Sequence, residues 1–151
     1  MPKVIICDTS CFIILNNIGE LEILRSLYGT IVTTSIIASE YGDSLPDWII
    51  IEDVKDASKQ KLLELQIDKG EASAIALALE KPGSTIILDD NKARKVARQL
   101  NLVITGTIGI LVKAKLQGII PSVRTIFDKV KQTNFRITEE IEKAALKEAG
   151  E

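Results

Sequence analysis

The feature that most constrains this chain is the regular exchange of very short apolar runs for longer stretches of helical periodicity. Lys3-Val4-Ile5-Ile6-Cys7 is such a run, and it stops at Asp8. Similar runs occupy 30–33, 48–51, 85–88 and 102–104. Strands covered on both faces read as continuous apolar runs, and parallel neighbours need a helical crossover between them. The spacing predicts helices over 11–17, 21–28, 36–41, 59–66, 71–80, 92–100 and 107–117, then over about 121–131 and 139–149. Ser10 and Ser35 suit the N-caps of the first and third helices, and Gly29 suits the end of the second. The fold class that follows is α/β: a three-layer α/β/α sandwich around a central, mainly parallel, Rossmann-like sheet.

A chain of 151 residues is expected to form a single domain over 1–151. That length supports a core without disulfides or a structural metal. At 46% hydrophobic residues and a net charge of −2, disorder is not expected. No apolar run approaches a membrane span, and the stretch after Met1-Pro2-Lys3 is too short for a signal peptide. A soluble, cytoplasmic protein is the expectation.

Absences narrow the chemistry. There is no histidine, which excludes Ser-His-Asp and Cys-His nucleophile systems and imidazole-bound zinc. Two cysteines, Cys7 and Cys11, are too few for a disulfide framework or an all-thiolate zinc site, and their apolar neighbours suggest buried thiols. An enzyme built on this chain works through carboxylates, hydroxyls, Lys and Arg, or a metal that they hold.

Charge is divided along the chain. Residues 1–91 carry 7 Lys+Arg against 15 Asp+Glu, and residues 92–151 carry 12 against 6. An acidic first part and a basic second part suggest a site where carboxylates meet an anion-binding surface; solvated helix faces are the plainer account.

In parallel sheets the working groups lie beyond the carboxyl ends of the strands, where the strand order switches. Asp8 follows the first run and Asp89-Asp90 follow the run 85–88, so two strands deliver carboxylates to one edge. Glu71 stands in the first turn of the apolar helix containing Ala72-Ser73-Ala74-Ile75-Ala76-Leu77-Ala78, and Glu40 near the end of a mostly apolar helix. Taken singly, Asp8, Asp89 and Asp90 are potential helix caps, Glu71 a favourable charge at a helix start, and Glu40 a partner for some cation. Taken jointly, converging like charges raise one another's pKa unless a cation neutralises them. An all-oxygen ligand set suits Mg²⁺ or Mn²⁺. Such an ion acidifies bound water and polarises a phosphoryl oxygen. Metal-assisted phosphodiester hydrolysis is therefore the expected reaction class, with the basic second part of the chain binding the polyanion.

Asp8-Thr9-Ser10, Glu40, Gly70-Glu71-Ala72-Ser73-Ala74-Ile75 and Leu88-Asp89-Asp90-Asn91-Lys92-Ala93-Arg94 together resemble the PIN domain, in particular a prokaryotic VapC-like subgroup of largely unassigned function. Gly106-Thr107-Ile108-Gly109-Ile110-Leu111 and Gly150-Glu151 extend the likeness over about residues 3–150. No one motif is specific; their order and spacing carry the resemblance. It implies a metal-dependent ribonuclease with RNA as substrate. For many members it also implies the toxin role of a toxin–antitoxin pair, hence an antitoxin protein as partner, and a homodimer. By the same resemblance Asp8, Glu40, Glu71 and Asp90 are the catalytic acids, and with Asp89 they hold Mg²⁺ or Mn²⁺. The Asn-Lys-Ala-Arg that follows favours Asp90 over Asp89 as the fourth acid, and Glu71 stands where the family commonly has Asp.

Thr9, Ser10 and Thr107 are supporting hydroxyls or helix caps, and Lys92, Arg94, Lys95 and Arg98 are candidate phosphate contacts or a solvated face. With aromatics at 4%, sequence-specific reading of single strands is expected to be weak. Other readings are a non-catalytic PIN-like protein that binds nucleic acid or a partner, and a phosphoryl-accepting α/β protein. A receiver needs an acidic pair after the first strand, where only Asp8 stands. A haloacid-dehalogenase-like phosphatase needs Asp-x-Asp or Asp-x-Thr, and position 10 is Ser.

Overall fold

A computed structural model describes residues 3–151. The apolar runs become β1 (Ile5–Cys7), β2 (Ile31–Thr33), β3 (Ile49–Ile51), β4 (Thr85–Ile87) and β5 (Val103–Thr105). All neighbours are parallel, in the order β3-β2-β1-β4-β5. The predicted sandwich is the observed one. Burial follows strand position: β1 is wholly buried, while Ile50 and Ile51 of β3 and Val103 of β5 are exposed because each edge strand has one neighbour.

Helices α1 (Thr9–Asn17), α2 (Glu22–Tyr28), α3 (Ser35–Tyr41), α4 (Ala57–Leu63), α5 (Lys69–Glu80), α6 (Asn91–Gln99), α7 (Thr107–Leu116), α8 (Val123–Lys131) and α9 (Glu139–Glu148) cover the sheet. Two contrast in composition. In α5 every residue from Gly70 to Ala78 is buried. Its small side chains let the helix approach β1 and β4 closely while it also packs against α3, α4 and α6. In α6 only Ala93, Val96 and Ala97 are buried, and Lys92, Lys95 and Arg98 face solvent. None of the helices is long and apolar enough to cross a membrane, among the described residues.

Several boundaries differ from the sequence reading, and cap chemistry explains two of them. The helix expected at 11–17 starts at Thr9, so Ser10 lies inside it and Asp8 takes the N-cap position. The helix expected at 36–41 starts at Ser35 because Thr34 is its cap, accepting from the Ile37 N–H at 3.2 Å. Ser35 instead binds Asp53 through both its N–H and its hydroxyl. The helix expected at 59–66 begins earlier, at Ala57, where Asp56 accepts from the Ser58 N–H.

The topology sets the functional edge. From β1 the chain moves outward through β2 to β3, then crosses back to β4 on the other side of β1. The strand order therefore reverses between β1 and β4, and a crevice opens beyond their carboxyl ends. Cys7 is in register with Ile87, and the Asp8 N–H donates to the Ile87 carbonyl at 3.2 Å. Asp8 is thus level with Leu88, and Asp89 is the next residue out. Cross-ties hold this edge. The Thr33 hydroxyl donates to the Cys7 carbonyl at 2.9 Å, and the Thr34 and Ser73 hydroxyls meet at 2.7 Å.

Candidate active site at the carboxyl edge of the sheet

Asp8 is only 4% exposed and occupies the N-cap position of α1, yet its carboxylate makes no capping bond. Burial pushes it up to about 7; the Thr9 backbone amide partly offsets this, and the charges of Asp68, Glu40 and Asp89 add to it. Glu71, in the first turn of α5, is 8% exposed. Burial pushes it up to about 8, assisted by the charges of Asp68, Asp90 and Asp8. Both acids resist ionisation at neutral pH for the same physical reason: water is excluded and their neighbours carry the same sign.

Glu40 reaches this field from the last turn of α3. Burial, then the charge of Asp68, raises its pKa, while the Thr9 hydroxyl donates to Oε1 at 3.3 Å and works the other way. Gly70 makes room for that carboxylate: a Cβ at position 70 would stand 1.8 Å from Glu40 Oε1. A glycine inside a helix costs about 0.5–1 kcal/mol relative to alanine, and here it allows a carboxylate to lie against the first turn of α5. Thr9 is thus beside the acids, whereas Ser10 lines a separate cleft with Thr133, Asn134 and Phe135.

The paired aspartates after β4 divide their work. Asp90 caps α6, accepting from the Ala93 N–H at 3.0 Å, and its charge acts on Glu71. Asp89 turns to α7 instead. It accepts the Thr107 N–H at 2.8 Å and the Thr107 hydroxyl at 2.6 Å. Thr107 is therefore the first residue of its helix, with its hydroxyl committed to Asp89. Gly106 permits the crowding there, since a Cβ would lie 2.7 Å from Arg94 Nη1 and 2.9 Å from Asp89 Oδ1.

Asp68 is an acid that the sequence reading passed over. It caps α5 by accepting from the Glu71 N–H at 2.9 Å, and its charge bears on Asp8, Glu40 and Glu71 alike. The available signal was the Asp-x-Gly-Glu spacing at 68–71, which capping alone accounted for. Among the described residues, none of Asp8, Glu40, Asp68, Glu71, Asp89 or Asp90 has a Lys or Arg nitrogen within 4 Å.

That donor set tests well for a hard divalent cation in chemistry: it is all oxygen, largely buried at its centre and uncompensated. It is less closed in arrangement. Among the described residues no three Asp, Glu or Cys side chains are gathered tightly enough to hold a metal as they stand. The acids share one electrostatic field without forming one ligand cage. The thiols beneath take no part. Cys7 and Cys11 are buried and free, and burial, then Cys11, drives the Cys7 thiol well above its ordinary pKa.

The basic residues separate into two sets. Arg94 and Arg98 line an open groove of about 680 Å³ next to Asp89, together with Arg136 from the segment before α9. Arg94 Nη1 donates to the Leu88 carbonyl at 2.8 Å, which fixes its guanidinium beside the end of β4. Lys92 and Lys95 are exposed on α6 outside that lining. The family model that the chain matches, over residues 4–151, is that of the PIN domain. No curated protein matches the chain.

Proposed function

This chain belongs to the PIN-domain family, whose members are generally nucleases that typically use divalent metal ions, and on that premise we propose that it is an Mg²⁺- or Mn²⁺-dependent endoribonuclease. The observation that carries the reading is the uncompensated acid cluster at the strand switch. Asp8 and Glu71 are buried, pushed up to about 7 and 8, and lack any basic partner. Leaving such groups unpaired costs stability, so their presence calls for a cation.

Asp8, Glu40, Glu71 and Asp90 hold the metal in this proposal, with Asp89 in support. When bound, the ion supplies Lewis acidity toward a phosphoryl oxygen and makes a nucleophilic water accessible at neutral pH. The remaining work belongs to the chain. Gly70 and the Thr9 hydroxyl position Glu40. Thr107 holds Asp89 against the start of α7. Burial and like charges push Glu71 up to about 8, so a cation held there would compete with a proton. Arg94, Arg98, Lys92 and Lys95 supply positive charge for the RNA backbone. The likeness to VapC-type proteins brings a toxin role, an antitoxin protein as partner, a homodimer and a cytoplasmic setting into the same proposal.

The test is cleavage of a short single-stranded RNA with Mn²⁺ by the wild-type chain and by Asp8→Asn. The expected result is activity lost in the variant, with its thermal transition at or above the wild-type value. Equal, metal-independent cleavage by both would reject the scheme. A second reading, a PIN-like protein that binds nucleic acid without cutting it, is favoured by the open arrangement of the acids and by Glu71 in place of the commoner Asp. It predicts RNA binding with no Mn²⁺ uptake in calorimetry.

A further inference from the structure

Two consecutive threonines at the corner between β2 and α3 each send a hydroxyl into a different acid-bearing segment. The Thr33 hydroxyl donates to the carbonyl of Cys7, the residue before Asp8, at 2.9 Å. The Thr34 hydroxyl meets that of Ser73, near the start of the helix that carries Glu71, at 2.7 Å. Proton counting fixes the direction of this second link. Ser73 gives its single proton to the Gly70 carbonyl at 2.6 Å, and Thr34 accepts the Ile37 N–H at 3.2 Å. Thr34 therefore donates to Ser73, and each hydroxyl gives once and accepts once. The relay ends on Gly70, the residue against which the Glu40 carboxylate lies. Helix α3 is thus seated on the start of α5 at both ends, through Thr34 before it and Glu40 in its last turn.

Cohesion alone does not call for these hydroxyls. Thr33, Thr34 and Ser73 are 0%, 1% and 1% exposed, so each has given up its hydration. The net gain from a buried hydrogen bond is small, and an apolar pair of the same shape holds an interface about as well. What a hydrogen bond adds is a set distance and direction. Two places beside the acids have few other means of setting them. Among the described residues, β1 and β2 have the single pair Ile6 and Val32 in register, whereas β1 and β4 have three pairs. Of α3, seven residues long, only Ile37 is buried. A helix that short has little stability of its own, and one apolar anchor leaves it free to slide.

We propose that Thr33, Thr34 and Ser73 form a positioning device that sets how Asp8, Glu40 and Glu71 stand relative to one another, and so how well they hold a divalent cation. The proposal rests on the metal reading of the acid cluster and adds to it residues that touch neither metal nor substrate. Thr33 acts through the peptide that leads into Asp8. Thr34 and Ser73 act through the two helices that carry Glu40 and Glu71. Outer partners of metal ligands typically change metal affinity by about 10–100-fold.

The experiment is isothermal titration calorimetry of the full, metal-free chain with Mn²⁺, with melting temperatures recorded on the same samples. Ser73→Ala and Thr33→Val are each expected to weaken Mn²⁺ binding about tenfold. Thr33→Ser and Thr34→Ser keep the hydroxyls and are expected to bind as the wild type does. Val130→Ala opens a cavity beside α8, which carries none of the acids, and controls for lost stability. It should lower the melting temperature at least as far as Ser73→Ala and leave Mn²⁺ affinity at the wild-type value. Wild-type affinity in either hydroxyl-deleting variant overturns the positioning role. So does a loss in Thr33→Ser equal to that in Thr33→Val, or an equal loss in Val130→Ala. No Mn²⁺ uptake by the wild-type chain overturns the metal reading and this proposal together, whereas uptake that the variants leave unchanged overturns this proposal alone.

Discussion

Two sets of carboxylates in this molecule have opposite fates. At the periphery, Glu80 accepts the N–H groups of Lys55 and Asp56, and Glu151 accepts those of Val123 and Arg124 together with the Ser122 hydroxyl. Backbone N–H donors hold both below the ordinary carboxylate range. At the carboxyl edge of the sheet, burial and like charges hold Asp8, Glu40 and Glu71 above it. The first set is spent on fastening chain segments: Glu151 ties the C-terminal residue to the start of α8. The second set is kept from structural use. Asp8 shows this most plainly, since it sits at a helix N-cap and does not cap. The direction of an acid's pKa thus separates a fastening role from an available one.

The contrast breaks most sharply at Asp8. Asp8→Asn should reduce metal-dependent RNA cleavage to background, and because it removes a buried charge it should not lower the melting temperature at pH 8. A fall of several degrees there would mean that Asp8 is a structural fastener after all. Gly70→Ala tests the same idea through geometry. The new methyl group displaces the Glu40 carboxylate, so Mn²⁺ affinity measured by calorimetry is expected to drop about tenfold. Thermal stability should hold or rise slightly, because alanine suits a helix interior better.

Thr107→Val removes one of the two donors to Asp89 and is expected to cost about 1–2 kcal/mol in urea unfolding. Its effect on cleavage should be smaller than that of Asp8→Asn.

Proton linkage sharpens the comparison further. Asp8 and Glu71 bind protons more tightly in the folded than in the unfolded chain, so the metal-free protein should lose stability as pH rises from about 4 to about 8. Melting scans in EDTA should show that decline, and saturating Mn²⁺ should remove it. For Glu80 and Glu151 the sign reverses: their contribution is complete above the unfolded pKa and is lost as pH falls through the lower folded value. Glu151→Gln should therefore lower the melting temperature modestly at pH 7, lessen the loss on acidification and leave cleavage unchanged.

Much of this was legible along the chain. A continuous apolar run ending in Asp marks a buried strand and places Asp8 at its carboxyl end, and the same logic places Asp89 and Asp90. Alternation with helices specified a parallel sheet, since parallel strands cannot be joined without crossovers. The roles of individual groups were less legible, because capping is a local explanation that satisfies a sequence reader. Asp68 caps α5, but its charge also acts on Asp8, sixty positions earlier in the chain. Asp89 and Asp90 looked alike, and they face different helices. Arg136, in an irregular segment with no periodicity, offered no local signal at all.

Local pattern by itself determined the sheet, its parallel sense and which strands end in acid, because periodicity and turn chemistry operate over a few residues. Tertiary structure alone decided that Asp8 makes no capping bond, that Glu40 rests on Gly70, that Thr107 holds Asp89 and that Arg136 lines the same groove as Arg98. Those outcomes depend on the strand order reversing beside β1, which brings distant segments within reach of one another's charges.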